Sequence, residues 1–146
     1  MTHGLVVRPA RPDDLSGLLD VHRAAFPTAA EAGLVAALLA DPEAAPLESH
    51  VATVDGTVAA HVLLTSALVE SSPHLPARLL APLAVAPQRQ GQGLGTAVTV
   101  AALDAARAHG VVLVLVLGHP GYYPRFGFRP LLPDGPTPPY PVAPEH

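Results

Sequence analysis

At 146 residues, with 49% apolar and 14% charged residues, the chain has the size and composition of one domain with a sizeable core, which excludes extended disorder. A formal net charge of −4 without a dense basic cluster leaves no footprint for nucleic acid. Cysteine is absent, removing disulfides, zinc–thiolate sites and a thiol nucleophile; all eight basic residues are arginine, so there is no lysine for a P-loop or a Schiff base.

Met1-Thr2-His3-Gly4 lacks the basic-then-apolar order of a secretory signal, and no apolar run approaches the ~20 residues that span a bilayer. A cytoplasmic protein that does not enter a membrane is therefore expected. Leu5 to Arg8 reads as a first strand. Pro12-Asp13-Asp14 then suits a helix N-terminus, and Leu15, Leu18, Leu19 and Val21 supply an apolar face for a helix reaching about Phe26. A second helix is expected over Ala29 to Ala40, with Leu34, Val35, Leu38 and Leu39 at helical spacing, stopping before Asp41-Pro42. His50 to Val54, the turn Asp55-Gly56 and Thr57 to Val69 read as a hairpin. Leu79 to Val85 follows as a strand in which Pro82, unable to donate to a ladder, predicts a bulge or an unpaired edge. A third helix is predicted from Leu94 to His109, with Leu94, Val98, Ala101, Ala102 and Ala105 inward and Gly110 closing it. Val111 to Leu117 reads as a buried parallel strand. The last 18 residues hold seven prolines and no regular pattern beyond a short strand around Phe126 to Leu131. The whole chain, 1–146, is thus expected to form a single α/β domain ordered β-α-α-β-β-β-α-β, with an irregular tail from about 129.

The chemistry concentrates in Gln90-Gly91-Gln92-Gly93-Leu94-Gly95-Thr96, at a strand-to-helix junction. Glycines there let backbone approach a ligand, and the free N–H groups of a first helical turn, with the helix dipole, favour a phosphate or pyrophosphate. A dinucleotide fingerprint needs its third glycine one residue later and an acid about twenty residues on; the next strand ends in Gly118-His119 instead. A turn without any ligand is the plain alternative.

Gln90-x-x-Gly93-x-Gly95 resembles the coenzyme A signature of the GNAT superfamily of N-acetyltransferases, Gln/Arg-x-x-Gly-x-Gly/Ala. Gly118-His119-Pro120-Gly121-Tyr122-Tyr123-Pro124-Arg125-Phe126-Gly127-Phe128 is similar to a second signature of one bacterial branch of that superfamily. Leu83-Ala84-Val85, His61, and Glu31 with Leu34-Val35 also look like that branch, so the resemblance runs from about residue 5 to 131. It implies the GNAT acyl-CoA N-acyltransferase fold, a mixed, mostly antiparallel sheet splayed between its fourth and fifth strands. It also implies acetyl-CoA as co-substrate, transferring its acetyl group to an amine of a small molecule or peptide.

In that family pantetheine lies in the splay, so the backbone of Leu83, Ala84 and Val85 would pair with it, and a backbone N–H near Val85 would polarise the thioester carbonyl. Gln90, Gly91, Gln92, Gly93, Leu94, Gly95 and Thr96 would hold the pyrophosphate. Tyr123, four residues before Gly127-Phe128, takes the place of the family's tyrosine that protonates the departing thiolate. Arg125 would contact a phosphate, and His119 stands where Asn or Asp is usual. Glu31 is the first candidate base, ahead of Glu70, His61 and His74. Direct attack in a ternary complex is implied, without an acyl-enzyme, and no metal-ligand spacing occurs among the histidines. For each of these side chains, packing or a solvated surface remains the alternative.

The C-terminus departs from the family, whose domains usually finish with one or two further strands. With that strand shortened or missing, a sheet edge needs cover. A homodimer would provide it. A non-catalytic coenzyme A-binding regulatory module, or a dimerisation protein whose glycines serve only a turn, are the readings from other classes.

Overall fold

The structure, a computed structural model, describes residues 4–116 and 122–129. Five strands form one sheet in the order β1-β2-β3-β4-β5: β1 is Leu5–Pro9, β2 Glu48–Val54, β3 Thr57–Ala67, β4 Ala77–Val85 and β5 Leu113–Val116. The first four run antiparallel, and β4 pairs parallel with β5. Helices α1 (Leu15–Ala25) and α2 (Ala30–Ala40) cross between β1 and β2, and α3 (Leu94–Ala108) connects β4 to β5. The expected order of elements is the observed one. Among the described residues no helix is long and apolar enough to cross a membrane.

Strand alternation splits the core into two layers. Ala60, Val62 and Leu64 of β3, with Ala52 and Leu80, pack under Leu94, Val98, Ala102 and Ala106 of α3. The intervening Leu63, with Val51, meets Leu18 of α1 and Val35 of α2. Each such fully buried leucine contributes about 2 kcal/mol of transfer free energy. Helical spacing put Leu15 and Leu34 in these faces too, yet both are exposed; Leu18, Val21 and His22 form the buried face of α1. β5 also differs from expectation. Only Leu115 in it is buried, and Val112 just before it is exposed, because β5 is the last strand of the sheet among the described residues. The part of the expected Phe126–Leu131 strand that is described is not a strand: Tyr123–Phe126 form a 3-10 turn closed by Gly127 at φ +90°. The expectation that a final strand is shortened or missing concerns residues outside those described.

The bulge expected at Pro82 is present. Val62 stands opposite Leu83 and Leu64 opposite Leu80, so Ala81 and Pro82 together face the single residue Leu63. The ladder with β5 covers only Ala77–Leu80. Beyond the bulge, β4 keeps its bonds to β3 but has no partner on its other edge among the described residues. This is the splay.

Two polar anchors fix the helices. Arg8 of β1 donates to Asp14 at 2.7 and 3.0 Å, just ahead of α1, and the N–H of Arg11 adds a third bond at 2.7 Å. Under α3, the buried Glu48 accepts from Arg78 Nε at 2.8 Å and bonds the ring of His109 at the helix C-terminus at 2.8 Å. Removing one member of a buried ion pair strands the other charge. Glu48→Ala is therefore expected to cost about 3 kcal/mol, read as a lowered urea midpoint; an unchanged midpoint would show that the pair adds nothing.

Candidate active site

The turn after β4 is shaped by backbone before side chains. Pro87–Arg89 make a 3-10 turn, Gly91 and Gly93 take φ +77° and +82°, and α3 starts at Leu94. Those left-handed angles suit glycine and strain other residues. The first intrahelical bond here runs from Ala97 N–H to Gly93 C=O at 3.0 Å. The N–H groups of Leu94, Gly95 and Thr96 thus point out of the helix end without an intrahelical acceptor, and Gly93 has no side chain to cap them. Gln90 Nε2 donates to Val85 C=O at 3.1 Å, tying the turn to the end of β4.

A cavity of about 450 Å3 joins this turn to the freed end of β4. Leu83, Ala84 and Val85 form one wall, while Gln90, Gly91, Gly93, Leu94, Gly95 and Thr96 form another. Arg125 reaches it from the 3-10 turn, and Arg89 from the turn ahead of the glycines. The cavity contains one uncapped helix start and is lined by two arginines, so it favours an anionic ligand.

Of the residues expected in the site, ten line this cavity. Gln92 flanks the turn, with its side chain exposed outside the lining. Glu31 lies in the first turn of α2, half-buried, with Oε1 sealed from solvent and without a hydrogen-bond partner among the described residues. His119 lies outside the described residues. The two tyrosines part company. Tyr122 lines the cavity, its hydroxyl 2.9 Å from the point where a Cβ on Gly95 would sit, so a larger residue there would have to push the phenol aside. Arg125 holds Tyr122 in place, its guanidinium 4.2 Å over the ring and its Nε donating to the Tyr122 carbonyl at 2.8 Å. Tyr123 turns toward the α3 core, edge-on to Phe128 at 5.8 Å, and burial pushes its phenol up to about 12.

Arg89, Ala25 and Phe26 line the cavity without having been singled out in the sequence, and Tyr122, part of the second signature but given no site role there, lines it as well. Arg89 carried a weak signal, one residue before Gln90 of the motif. Ala25 and Phe26, at the end of α1, carried none.

Residues 6–131 match the acetyltransferase (GNAT) domain family. The chain belongs to the GNAT N-acetyltransferases. It is 41% identical over 135 residues to YjhQ of Escherichia coli K12, described as an uncharacterized N-acetyltransferase, covering 91% of this chain and 75% of that one. Its fold is similar to that of a GNAT family acetyltransferase from Brucella melitensis solved in complex with acetyl-CoA, with a TM-score of 0.80, 30% identity, and coverage of 93% and 92% of the two chains. YhbS of Escherichia coli, a GNAT family N-acetyltransferase solved with CoA, has a TM-score of 0.80 and 34% identity over 86% of this chain and 68% of that one.

Proposed function

We propose that this chain binds acetyl-CoA in the cavity between β4 and α3 and transfers the acetyl group directly to an amine of a small molecule or peptide. The observation that carries the proposal is the continuity of that cavity: it links strand backbone at Leu83–Val85, whose second edge has no ladder partner among the described residues, to an uncapped helix start at Gly93–Thr96. The Brucella melitensis and YhbS complexes, with acetyl-CoA and CoA respectively, support it. The residues present fit the co-substrate. Outward N–H groups and the two arginines suit a pyrophosphate. A β4 edge with no neighbour among the described residues suits an amide-bearing arm such as pantetheine.

In this reading the N–H groups of Leu94, Gly95 and Thr96 hold the phosphates, and Leu83, Ala84 and Val85 align the arm. A backbone N–H near Val85 polarises the thioester carbonyl. Glu31 draws the acceptor's ammonium group in and is the first candidate to take a proton from it. Tyr123 returns a proton to the thiolate, its phenol held protonated by burial. A specific observation favours Tyr122 for that last role: its hydroxyl, not that of Tyr123, stands at the cavity wall.

Calorimetry with acetyl-CoA tests the binding. Gly93→Ala brings the left-handed backbone penalty alone, about 1 kcal/mol, whereas Gly93→Glu adds a carboxylate at the anion site. Wild type is expected to bind in the micromolar range. Gly93→Ala should lose about fivefold at most and Gly93→Glu at least ~100-fold. Equal affinity of wild type and Gly93→Glu would overturn the proposed seat.

A further inference from the structure

Behind the cavity wall lies a hydrogen-bonded chain that the chemistry above does not use. His22 of α1 and His61 of β3 are both fully buried, and His22 Nε2 lies 2.8 Å from His61 Nδ1. His61 Nε2 in turn lies 2.8 Å from Ser49 Oγ on β2, a half-buried residue. The rings meet edge to face, 5.1 Å between centroids. The remaining ring nitrogen, His22 Nδ1, is sealed from solvent and has no hydrogen-bond partner among the described residues. Both rings adjoin the cavity wall. His22 stacks on Phe26, one turn along α1, and His61 stands opposite Ala84 in the β3–β4 ladder; Phe26 and Ala84 line the cavity. Among the described residues no group of three or more His, Asp or Glu side chains forms a metal site there.

The chain has two arrangements. In one, His22 Nε2–H donates to His61 Nδ1 and His61 Nε2–H donates to Ser49 Oγ, leaving a lone pair on His22 Nδ1. In the other every proton has shifted one place: Ser49 donates to His61, His61 donates to His22, and His22 Nδ1 carries the hydrogen. Passing from the first to the second admits a proton at His22 Nδ1 and releases one from the Ser49 hydroxyl. Burial keeps both rings neutral near pH 7, pulling His22 down to about 4 and His61 to about 3, so neither stores the proton. Asp14 and His50 are the other titratable groups whose charge His61 feels.

We propose that His22, His61 and Ser49 form the proton exit of the acetyl transfer, a role that rests on the transfer proposed above and in which His22 takes over from Glu31 the proton lost by the acceptor. The balance requires an exit only for a basic acceptor. An ammonium group that becomes an amide loses two protons as the C–N bond forms and the C–S bond breaks. One proton goes to the thiolate sulfur, and the other must reach solvent. An amine that arrives neutral loses one proton, which the thiolate consumes, and nothing is left to export.

Thiol release is measured with two matched pairs of probes: benzylamine against aniline, and ethylamine against methoxyamine. The first of each pair is protonated at neutral pH and the second is not. His22→Gln keeps a polar contact to His61 but cannot relay a proton. It should lower kcat about 100-fold for the basic amines, leave the weakly basic ones within about twofold, and converge with wild type as pH rises and the amine arrives neutral. Acetyl-CoA affinity should not change. Ser49→Ala, at the outer end of the chain, should show the same selectivity and decides the matter if His22→Gln does not fold. Equal losses on both members of a pair would overturn the exit while leaving the transfer intact. Wild type that releases no thiol with any probe would overturn both.

Discussion

With the acid at Tyr123, where the motif puts it, Tyr123→Phe is expected to lower kcat about 100-fold, with little change in the KM for acetyl-CoA; with the acid at Tyr122, where the cavity puts it, the variant would stay near wild type. A positioned acid supplies an effect of that order, and removing one hydroxyl from a ring packed edge-on to Phe128 leaves the packing in place. Because burial holds the phenol up to about 12, Tyr123 keeps its proton throughout the working range. The alkaline limb of the wild-type pH profile should therefore come from another group. Tyr122→Phe should act differently, raising the KM for acetyl-CoA several-fold through its place beside Gly95 while kcat stays within about threefold. The reversed pattern, with kcat collapsing in Tyr122→Phe and surviving in Tyr123→Phe, would move the acid role to Tyr122. Stopped-flow measurement of thiol release for both variants separates the two outcomes.

The protein is also expected to lose stability steeply on mild acidification, well before its carboxylates titrate. In the unfolded chain His22 and His61 take up protons near the ordinary histidine value of 6.5, whereas burial holds them to about 4 and about 3 in the fold. Between those limits the unfolded state binds more protons, so stability falls as pH falls. Each ring contributes a slope of up to about 1.4 kcal/mol per pH unit. Their contribution is fully present above 6.5 and is lost progressively down to about 4 and 3. Asp14 acts lower. Its hydrogen bonds from Arg8 hold the carboxyl down to about 2, so its contribution is present above the usual carboxylate range and fades only as pH falls toward 2. Urea midpoints measured from pH 7 to 4.5 should drop continuously, and His22→Gln should shallow the slope. A midpoint unchanged over that range would mean that water reaches the rings and that they are not desolvated.

The features legible in the sequence are those that backbone chemistry dictates locally. The glycine alternation gave the turn away because left-handed φ at Gly91 and Gly93 needs no distant contact. Pro82 announced the bulge because a missing N–H is a local fact. The β-α-α-β-β-β-α-β order followed from apolar periodicity. What escaped depends on which way neighbouring side chains face. Successive residues of a 3-10 turn project about 120° apart, so Tyr122 and Tyr123, adjacent in the chain, face the cavity and the core. Neither the motif nor hydrophobicity separates them. His22 is a single polar residue on an apolar helix face, and its partner lies 39 positions away on β3. No spacing rule connects them. Leu34, Leu15 and Val112 err the other way: local hydrophobicity placed them inside, but the sheet and helices supply nothing to cover them.

The Ala81–Pro82 bulge also bears on solubility. Among the described residues, β4 past Leu80 offers a length of unclaimed strand edge, the kind of surface on which identical chains add to one another and aggregate. The extra residue at the bulge throws the rest of that edge out of step, so an incoming strand would meet a broken register. The opening can thus admit a narrow chain-like ligand while disfavouring a second polypeptide strand, a discrimination built into one extra residue.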